Sequence, residues 1–333
     1  MHMERCDPLD PGVLRRWDAL GAHSAQIGID AWCSRPGWGL AVHDSFASEG
    51  DTMLCLADDA GIGVFGRMTS EDGTSALVPL DRVWGFGSPI VCAIDDTESV
   101  TGHIADRLMA DPSWQVCALG GLAEGEALDH AVVSAFGRHV SLYAGETRSR
   151  CRASLDGGID GYLARRSREH RRNIRQAERR STHRGITFGV DDGHDAAMTI
   201  SRLHAVESRS WKGLEGSGIE GLEMAALYDR LVGDLGSTGA LRCVFAQVTD
   251  DHGNTRDVGF ILGGVLGDTY RGLQISYIEE CRDLGVGNLL QWHEVQRMCT
   301  EQLQTYDLGM DIDYKRRWAE QLFETRTVLA VRR

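Results

Sequence analysis

Between residues 53 and 80 the apolar positions come in short runs separated by turn residues, not at helical spacing. MLCLA (53–57) and IGVFGRM (62–68) flank Asp58-Asp59-Ala60-Gly61 and predict a hairpin, with TSALVPL as a further strand. WGFGSPIVCAI reads as a loop entering a strand. Over 98–111 the period changes: Val100, Ile104, Leu108 and Met109 share one face and predict a helix, after which QVCALGGL returns to strand. Gly61-Ile62-Gly63-Val64-Phe65-Gly66 matches the dinucleotide pattern G-x-G-x-x-G, but no helical period follows it, so it is assigned to the hairpin.

Near residue 148 the composition shifts to Arg and Ser. A helix is predicted over 162–181, where Leu163, His170, Ile174 and Ala177 form a narrow apolar stripe among eight arginines, with Gly185 as its stop and ITFGV as the next strand. A helix over 198–209 follows. Extended runs at 240–248, 256–266 and 269–278, separated by TDDHGN and GD, predict a meander. RDLGVGN (282–288) then leads into a helix to about 303, with Leu289, Trp292, Val295, Cys299 and Leu303 on one side; TYDLG and LFETRTVLAV read as closing strands.

At 333 residues, 42% apolar and 25% charged, the chain is of globular composition and long enough for two domains, set at 1–147 and 148–333. Charge separates them. Residues 1–147 carry 8 Arg against 22 acids, and 148–333 carry 27 cations against 27 acids. Within the second half, 148–184 holds 12 Arg and 4 acids, so anion binding is expected only there.

Several classes lose ground. Nine scattered cysteines without a C-x-x-C pair argue against a disulfide framework and against a metal site. H-E-x-x-H, G-x-S-x-G and phosphate-loop signatures are missing. No apolar stretch is long enough for a membrane span, and the charged start MHMERCDPLDPG does not resemble a signal peptide, which gives a cytoplasmic expectation.

Three features carry chemistry. Arg282, Gly285, Gly287 and Asn288 stand between a strand and a helix, where glycines admit a close ligand and free N–H groups favour an anion. The helix LARRSREHRRNIRQAERR presents guanidinium groups suited to a phosphate backbone. The chain has 33 Arg and only two Lys, Lys212 in SRSWKG and Lys315 in DYKRRW, each beside an aromatic; an ammonium is a compact donor for a carbonyl or phosphate oxygen.

In order, RRNIRQAERR, RGITF, SRSWKG, the meander, GVGNLLQWHEVQ, YDLG and DYKRRW resemble the catalytic half of the GNAT superfamily over about 150–333. The nearest branches are the Fem-type aminoacyltransferases and the cellulose-biosynthesis-type acetyltransferases. The resemblance implies an α/β (α+β) fold of tandem GNAT-like domains, each a mixed, mostly antiparallel sheet flanked by helices. It makes the first domain a degenerate copy and the second the bearer of the active site. It also implies transfer of an acyl group from an activated carrier to an amine. No tightly bound cofactor is expected; the donor, aminoacyl-tRNA or acyl-CoA, enters as a cosubstrate, and the acceptor is a small-molecule or peptide-like amine.

Arg282, Gly285, Gly287 and Asn288 correspond to the superfamily's carrier-pyrophosphate loop, and Tyr314-Lys315 matches the aromatic-Lys pair at the Fem-type reaction centre. On chemical grounds Lys315 is a candidate to stabilise the oxyanion, with backbone N–H groups of 259–264 as partners where a bulge exposes them; Tyr277 is a candidate proton donor, and Glu207, Glu279, Asp311 and Asp313 are candidate bases. Trp211, Lys212, Asp311 and Asp313 are candidate substrate contacts, and Arg168, Arg171, Arg172, Arg175 and Arg179 candidate RNA contacts. Aminoacyl-tRNA is the favoured donor, acyl-CoA the alternative, and a noncatalytic anion-binding or partner-binding module the second alternative.

Overall fold

The computed structural model describes residues 3–332 except 216, 217, 220 and 251. In chain order the elements are β1 (Glu4–Cys6), α1 (Pro11–Ala22), α2 (Pro36–Phe46), β2 (Thr52–Ala57), β3 (Gly61–Thr69), β4 (Ser75–Val78), β5 (Ile90–Cys92), α3 (Thr97–Ala110), β6 (Val116–Leu122), α4 (Ala127–Gly137) and β7 (Ser141–Ser154). They continue with α5 (Gly158–Ala164), α6 (Arg168–His183), β8 (Ile186–Asp191), α7 (Ala196–Glu207), α8 (Trp211–Leu214), α9 (Leu222–Ser237), β9 (Leu241–Thr249), β10 (Thr255–Leu266), β11 (Thr269–Tyr277), α10 (Val286–Thr300), β12 (Thr305–Met310) and β13 (Gln321–Val331).

The chain divides into two compact units, residues 1–149 with 323–333, and residues 150–322. The C-terminal strand therefore does not stay with the residues that precede it, as the 148–333 boundary had it. Residues 326–331 of β13 pair antiparallel with β6, and Val328 and Ala330 are buried in the first unit's core.

In the first unit the strands run β1-β2-β3-β4-β6-β13. The hairpin lies where the turn residues put it: Asp58 accepts the N–H groups of Ala60 and Gly61, each at 2.9 Å, and β2 pairs with β3 from Thr52–Arg67 to Ala57–Ile62. The G-x-G-x-x-G match is thus a buried strand segment. Helix α3 covers the predicted stretch and buries Val100, Ile104 and Leu108. Helix α2, unassigned by the apolar pattern, buries Trp38, Leu40, Ala41 and Val42 together, so no polar face marks its period.

In the second unit the order is β7-β12-β11-β10-β9-β8, with the last residues of β7 antiparallel to β12. The predicted meander is β9-β10-β11, antiparallel throughout. The single helix expected over 162–181 is two. Ser167 takes an extended conformation and accepts the His170 N–H at 3.1 Å, so it caps α6 and breaks the run after α5. Each unit repeats one order: a strand, two principal helices, a three-stranded meander, a helix, then a strand parallel to the last of the meander.

Candidate active site

In the second unit β11 and β12 pair in parallel only from Thr269–Thr305 to Arg271–Asp307. Beyond that point they diverge, because β11 continues along β10 while β12 continues along β7. The split opens a cavity of about 440 Å³, walled by Leu273, Ile275, Leu308 and Trp318 and flanked by the start of α10, the short helix α8 and residues 312–318. That size lies within the range of small-molecule sites, about 300–1,000 Å³.

Arg282, Gly285, Gly287 and Asn288 all line this cavity. Residues 279–284 form a 3-10 turn, and Gly285, at φ +74°, is the N-cap of α10 with no side-chain cap. The first N–H groups of a long helix therefore open on the cavity, a disposition that favours an anion. A Cβ at Gly287 would lie 2.9 Å from the Tyr277 ring, so only glycine lets helix and strand approach there. Arg282 is exposed and bonds Glu279 at 2.8 Å.

Both lysines of the chain line the same cavity. Lys212 donates to the Gln274 side-chain oxygen at 3.0 Å and to the Ile275 carbonyl at 2.7 Å, and burial lowers its pKa. Lys315 differs: among the described residues its Nζ donates to no protein group. A Cβ at Gly309 would lie 3.6 Å from that Nζ; Gly309 has φ +76° at the bulge where β12 shifts register against β7. Burial, reinforced by the charge of Arg271, brings the Lys315 ammonium down to about 8. Near it Asp307 is buried against Arg150 and Arg271 at 2.8 and 2.9 Å. Burial opposes its charge, but Arg271 and Arg150 hold its carboxyl well below the usual range.

Tyr277, Tyr314 and Trp211 also line the cavity, and burial pushes the Tyr314 hydroxyl up to about 12. Four acids singled out in the sequence are outside it, Glu279 among them, which bonds Arg282. Glu207 is fully buried and accepts from Ile219 N–H at 3.1 Å, the Gln274 amide at 3.2 Å and the Ser210 hydroxyl at 3.3 Å, so it organises α8 instead of facing substrate as a base. Asp311 is held by Arg316 at 2.9 and 2.7 Å, which lowers its carboxyl to about 2. Asp313 is exposed and does not line the cavity. The backbone of 259–264 pairs with β9 and β11 but with register shifts, between Asp257 and Gly259 against β9 and between Leu262 and Gly263 against β11, and Ile261 lines the cavity.

Sequence reasoning missed Gln274, Gln291, Tyr306 and Trp318 in the lining. Gln291 is buried and accepts the Tyr306 hydroxyl hydrogen. Its signal was present: a glutamine between Leu289-Leu290 and Trp292 on the apolar side of the helix start.

On α6, at 100° per residue, Arg168, Arg172, Arg175 and Arg179 fall within an arc of about 60° and extend over about 16 Å. All four are exposed, while His170, Ile174, Ala177 and Ser181 are buried on the opposite side. Arg171 lies off this stripe, half-buried, and donates to the Leu163 carbonyl at 3.0 Å. The helix is tied to the site: His170 packs edge-on against Trp318 with centroids 4.5 Å apart, Glu178 accepts the Trp292 indole N–H at 3.0 Å, and a Cβ at Gly285 would meet Ala177 at 3.2 Å and Arg180 Nη2 at 3.8 Å.

Residues 168–316 match the model of the acetyltransferase (GNAT) domain family. No curated protein matches the chain in sequence. Among solved structures, one described as FemX is similar over 98% of this chain and 97% of its own, with a TM-score of 0.69 at 11% identity. L-PGS from Bacillus licheniformis is similar over 99% and 94%, with a TM-score of 0.57 at 11% identity. The C-terminal domain of a putative lysylphosphatidylglycerol synthetase from Agrobacterium fabrum is similar over 94% and 91%, with a TM-score of 0.55 at 10% identity. These likenesses establish a shared fold. Among the described residues no helix is long and apolar enough to cross a membrane.

Proposed function

We infer the function from one premise: residues 168–316 are an acetyltransferase domain of the GNAT family, and the chain is an acyltransferase. Its donor on this reading is aminoacyl-tRNA and its product an amide. The observation that carries the choice of donor is the arginine stripe of α6. Four exposed guanidinium groups in line supply the sequence-independent contacts of a phosphate backbone, and the flank of the same helix, at Arg180, meets Gly285 on the cavity wall.

In the transfer step a neutral acceptor amine attacks the ester carbonyl and a C–N bond forms. Lys315 Nζ–H donates to the resulting oxyanion. The C–O bond to the carrier then breaks, and the amine's surplus proton passes to the departing oxygen through the Tyr314 hydroxyl, which gives one proton and takes one. Orientation in the cavity supplies much of the acceleration with an activated ester.

Replacing Arg168, Arg172, Arg175 and Arg179 together by Glu tests the donor. Binding of charged tRNA is expected to be salt-dependent in the parent and lost in this variant. Unchanged binding would overturn the assignment. The second reading, acyl-CoA, is favoured by the uncapped start of α10 and Gly285. Saturable coenzyme A binding that is unaffected by the four substitutions would establish it instead.

A further inference from the structure

At the closed end of the split stands a hydrogen-bonded pair that the transfer step leaves unused. Tyr306, opposite Tyr270 in the paired stretch of β11 and β12, and Gln291 on α10 both line the cavity. Both are buried, Tyr306 at 1% and Gln291 at 4% exposure, and Tyr306 belongs to a core cluster with Tyr270, Leu308 and Trp318. A carboxamide in such a place is unfavourable unless its polar atoms find partners.

Only half of this carboxamide is satisfied within the protein. The Tyr306 hydroxyl hydrogen has no acceptor among the described residues other than Gln291 Oε1, so the phenol fixes which way the amide faces. Gln291 Nε2, with its two N–H groups, donates to no group of the described residues, yet it is not sealed off. The little of the residue that is open lies on the cavity it lines, so these N–H groups face the cavity. Gly272, also in the lining, keeps the space over the pair clear: a Cβ there would lie 3.6 Å from the Tyr306 ring.

Helix α10 thus serves the cavity at two points. Its uncapped start favours an anion, and Gln291, about 9 Å further along the axis, offers two neutral donors beside aromatic and apolar side chains. A hydrocarbon group pushed against the pair would leave the N–H groups dry and unpaired, whereas a hydroxyl or carbonyl oxygen would accept from them. A site built in this way rejects the analogue that lacks the oxygen more strongly than a purely apolar pocket rejects a misfit.

We propose that Gln291 is a specificity-determining residue and Tyr306 its positioning residue: the group that fills the closed end of the cavity carries an uncharged hydroxyl or carbonyl oxygen, which accepts from Gln291 Nε2. This rests on the cavity being the transfer site, and adds to that reading the character of one of the two substrates. The acyl group of the donor and the body of the acceptor amine are the two sources of such an oxygen, and the probe that carries it tells them apart.

The test uses no tRNA, so its failure leaves the donor assignment standing, and that assignment fails instead in the tRNA titration. Calorimetry compares near-isosteric pairs, threonine with valine, tyrosine with phenylalanine and glutamine with methionine, in two forms. Amides of 3′-amino-3′-deoxyadenosine carry the acyl group as the donor does, and the free amino acids offer the acceptor's amine. In the parent protein at least one oxygen-bearing member binds about tenfold more tightly than its partner, and the form in which it does so identifies the source. In Gln291→Leu that ratio falls to about one or inverts. In Tyr306→Phe, which frees the amide to turn, it falls severalfold while the apolar partner binds as before; a merely structural role would weaken both members alike and leave the ratio. Equal binding within every pair, no binding of any probe at millimolar concentration, or a ratio that survives either substitution overturns the proposal. The Tyr306→Phe ratio decides the matter if the leucine variant does not fold.

Discussion

The two units repeat one order of elements but treat the divergence of their parallel strands differently. In the second, the split between β11 and β12 is the cavity of about 440 Å³. In the first, β4 and β6 pair only at Ala76–Val116 and Leu77–Cys117, and the space beyond is taken by the chain itself. A Cβ at Gly121, where φ is +70°, would meet the backbone of residues 86–88 at 2.6–2.7 Å, and one at Gly87 would collide with the Cys33 carbonyl. Asp81 locks this plug by accepting the N–H groups of Phe86 and Gly87 at 3.0 and 2.8 Å. About 10 Å³ remains in the small void that Asp81, Gly87 and Ser88 border.

The helix that follows each meander differs too. Helix α10 starts at glycine beside Arg282, whereas α3 starts behind Asp95 and Asp96, with Glu98 in its first turn. Negative charge at the N-terminus satisfies the dipole that would otherwise attract a ligand's phosphates. The difference teaches that the scaffold alone makes no site. A site needs the split left open, the helix start left uncapped, and the donors placed at the opening.

The sharpest way to break this comparison is Lys315→Met, which removes the proposed oxyanion donor and leaves the scaffold. A loss of about 10²–10³ in kcat/KM is expected with the melting temperature nearly unchanged. If Lys315 acts as proposed, as a protonated donor whose ammonium burial brings down to about 8, the parent enzyme's rate is expected to fall as pH rises through that value. In Lys315→Arg that alkaline decline disappears. Near-parental turnover in the Met variant would refute the role.

A second test concerns the stability of the open unit. Glu294 on α10 is fully buried, and neither of its carboxyl oxygens nor the Tyr270 hydroxyl has a hydrogen-bond partner among the described residues. Burial raises the Glu294 carboxyl to about 7 from an ordinary 4.5. The folded state thus holds a proton that the unfolded state releases. Stability is full below about 4.5 and falls as pH rises toward 7, by about 3 kcal/mol from this group. In Glu294→Gln the decline is expected to flatten, read from urea midpoints between pH 4.5 and 8. A parallel decline in both proteins would exclude Glu294 as its source.

The smallest effect is expected in the closed unit. The double change Asp95→Asn and Asp96→Asn removes two of the three acids at the start of α3 but not the plug, so it is expected to create no binding of coenzyme A, measured by titration in a background where the second site is disabled by Gly287→Glu. New saturable binding there would mean that charge alone, and not the filled split, silences the first unit.

The elements that were legible in the sequence depend on neighbours a few residues away. The hairpin at 52–69 follows from turn residues between apolar runs, and α10 from a three- and four-residue apolar spacing. The break between α5 and α6 was missed because Ser167 is a good N-cap and an unremarkable surface residue alike until its backbone conformation is known. The candidate site was legible where composition exposed it. Two lysines among 35 cations, and glycines between a strand and a helix, marked Lys212, Lys315, Gly285 and Gly287. Glu207, Glu279, Asp311 and Asp313 were placed by the segments in which they stand, which says nothing about the direction a side chain takes from a fold.

By itself, then, the sequence determined the order of strands and helices, the basic stripe of α6 and the residue types able to bind an anion or stabilise an oxyanion. Only the tertiary structure decided that Lys212 and Lys315 share one cavity, that the acids near them are spent on Ser210, Gln274 and Arg316, and that the last strand of the chain completes the first unit. The physical reason is range. Periodicity, capping and turn chemistry act within a few residues along the backbone, whereas a cavity exists where two strands stop pairing, and that point is set by register and packing among segments remote in sequence.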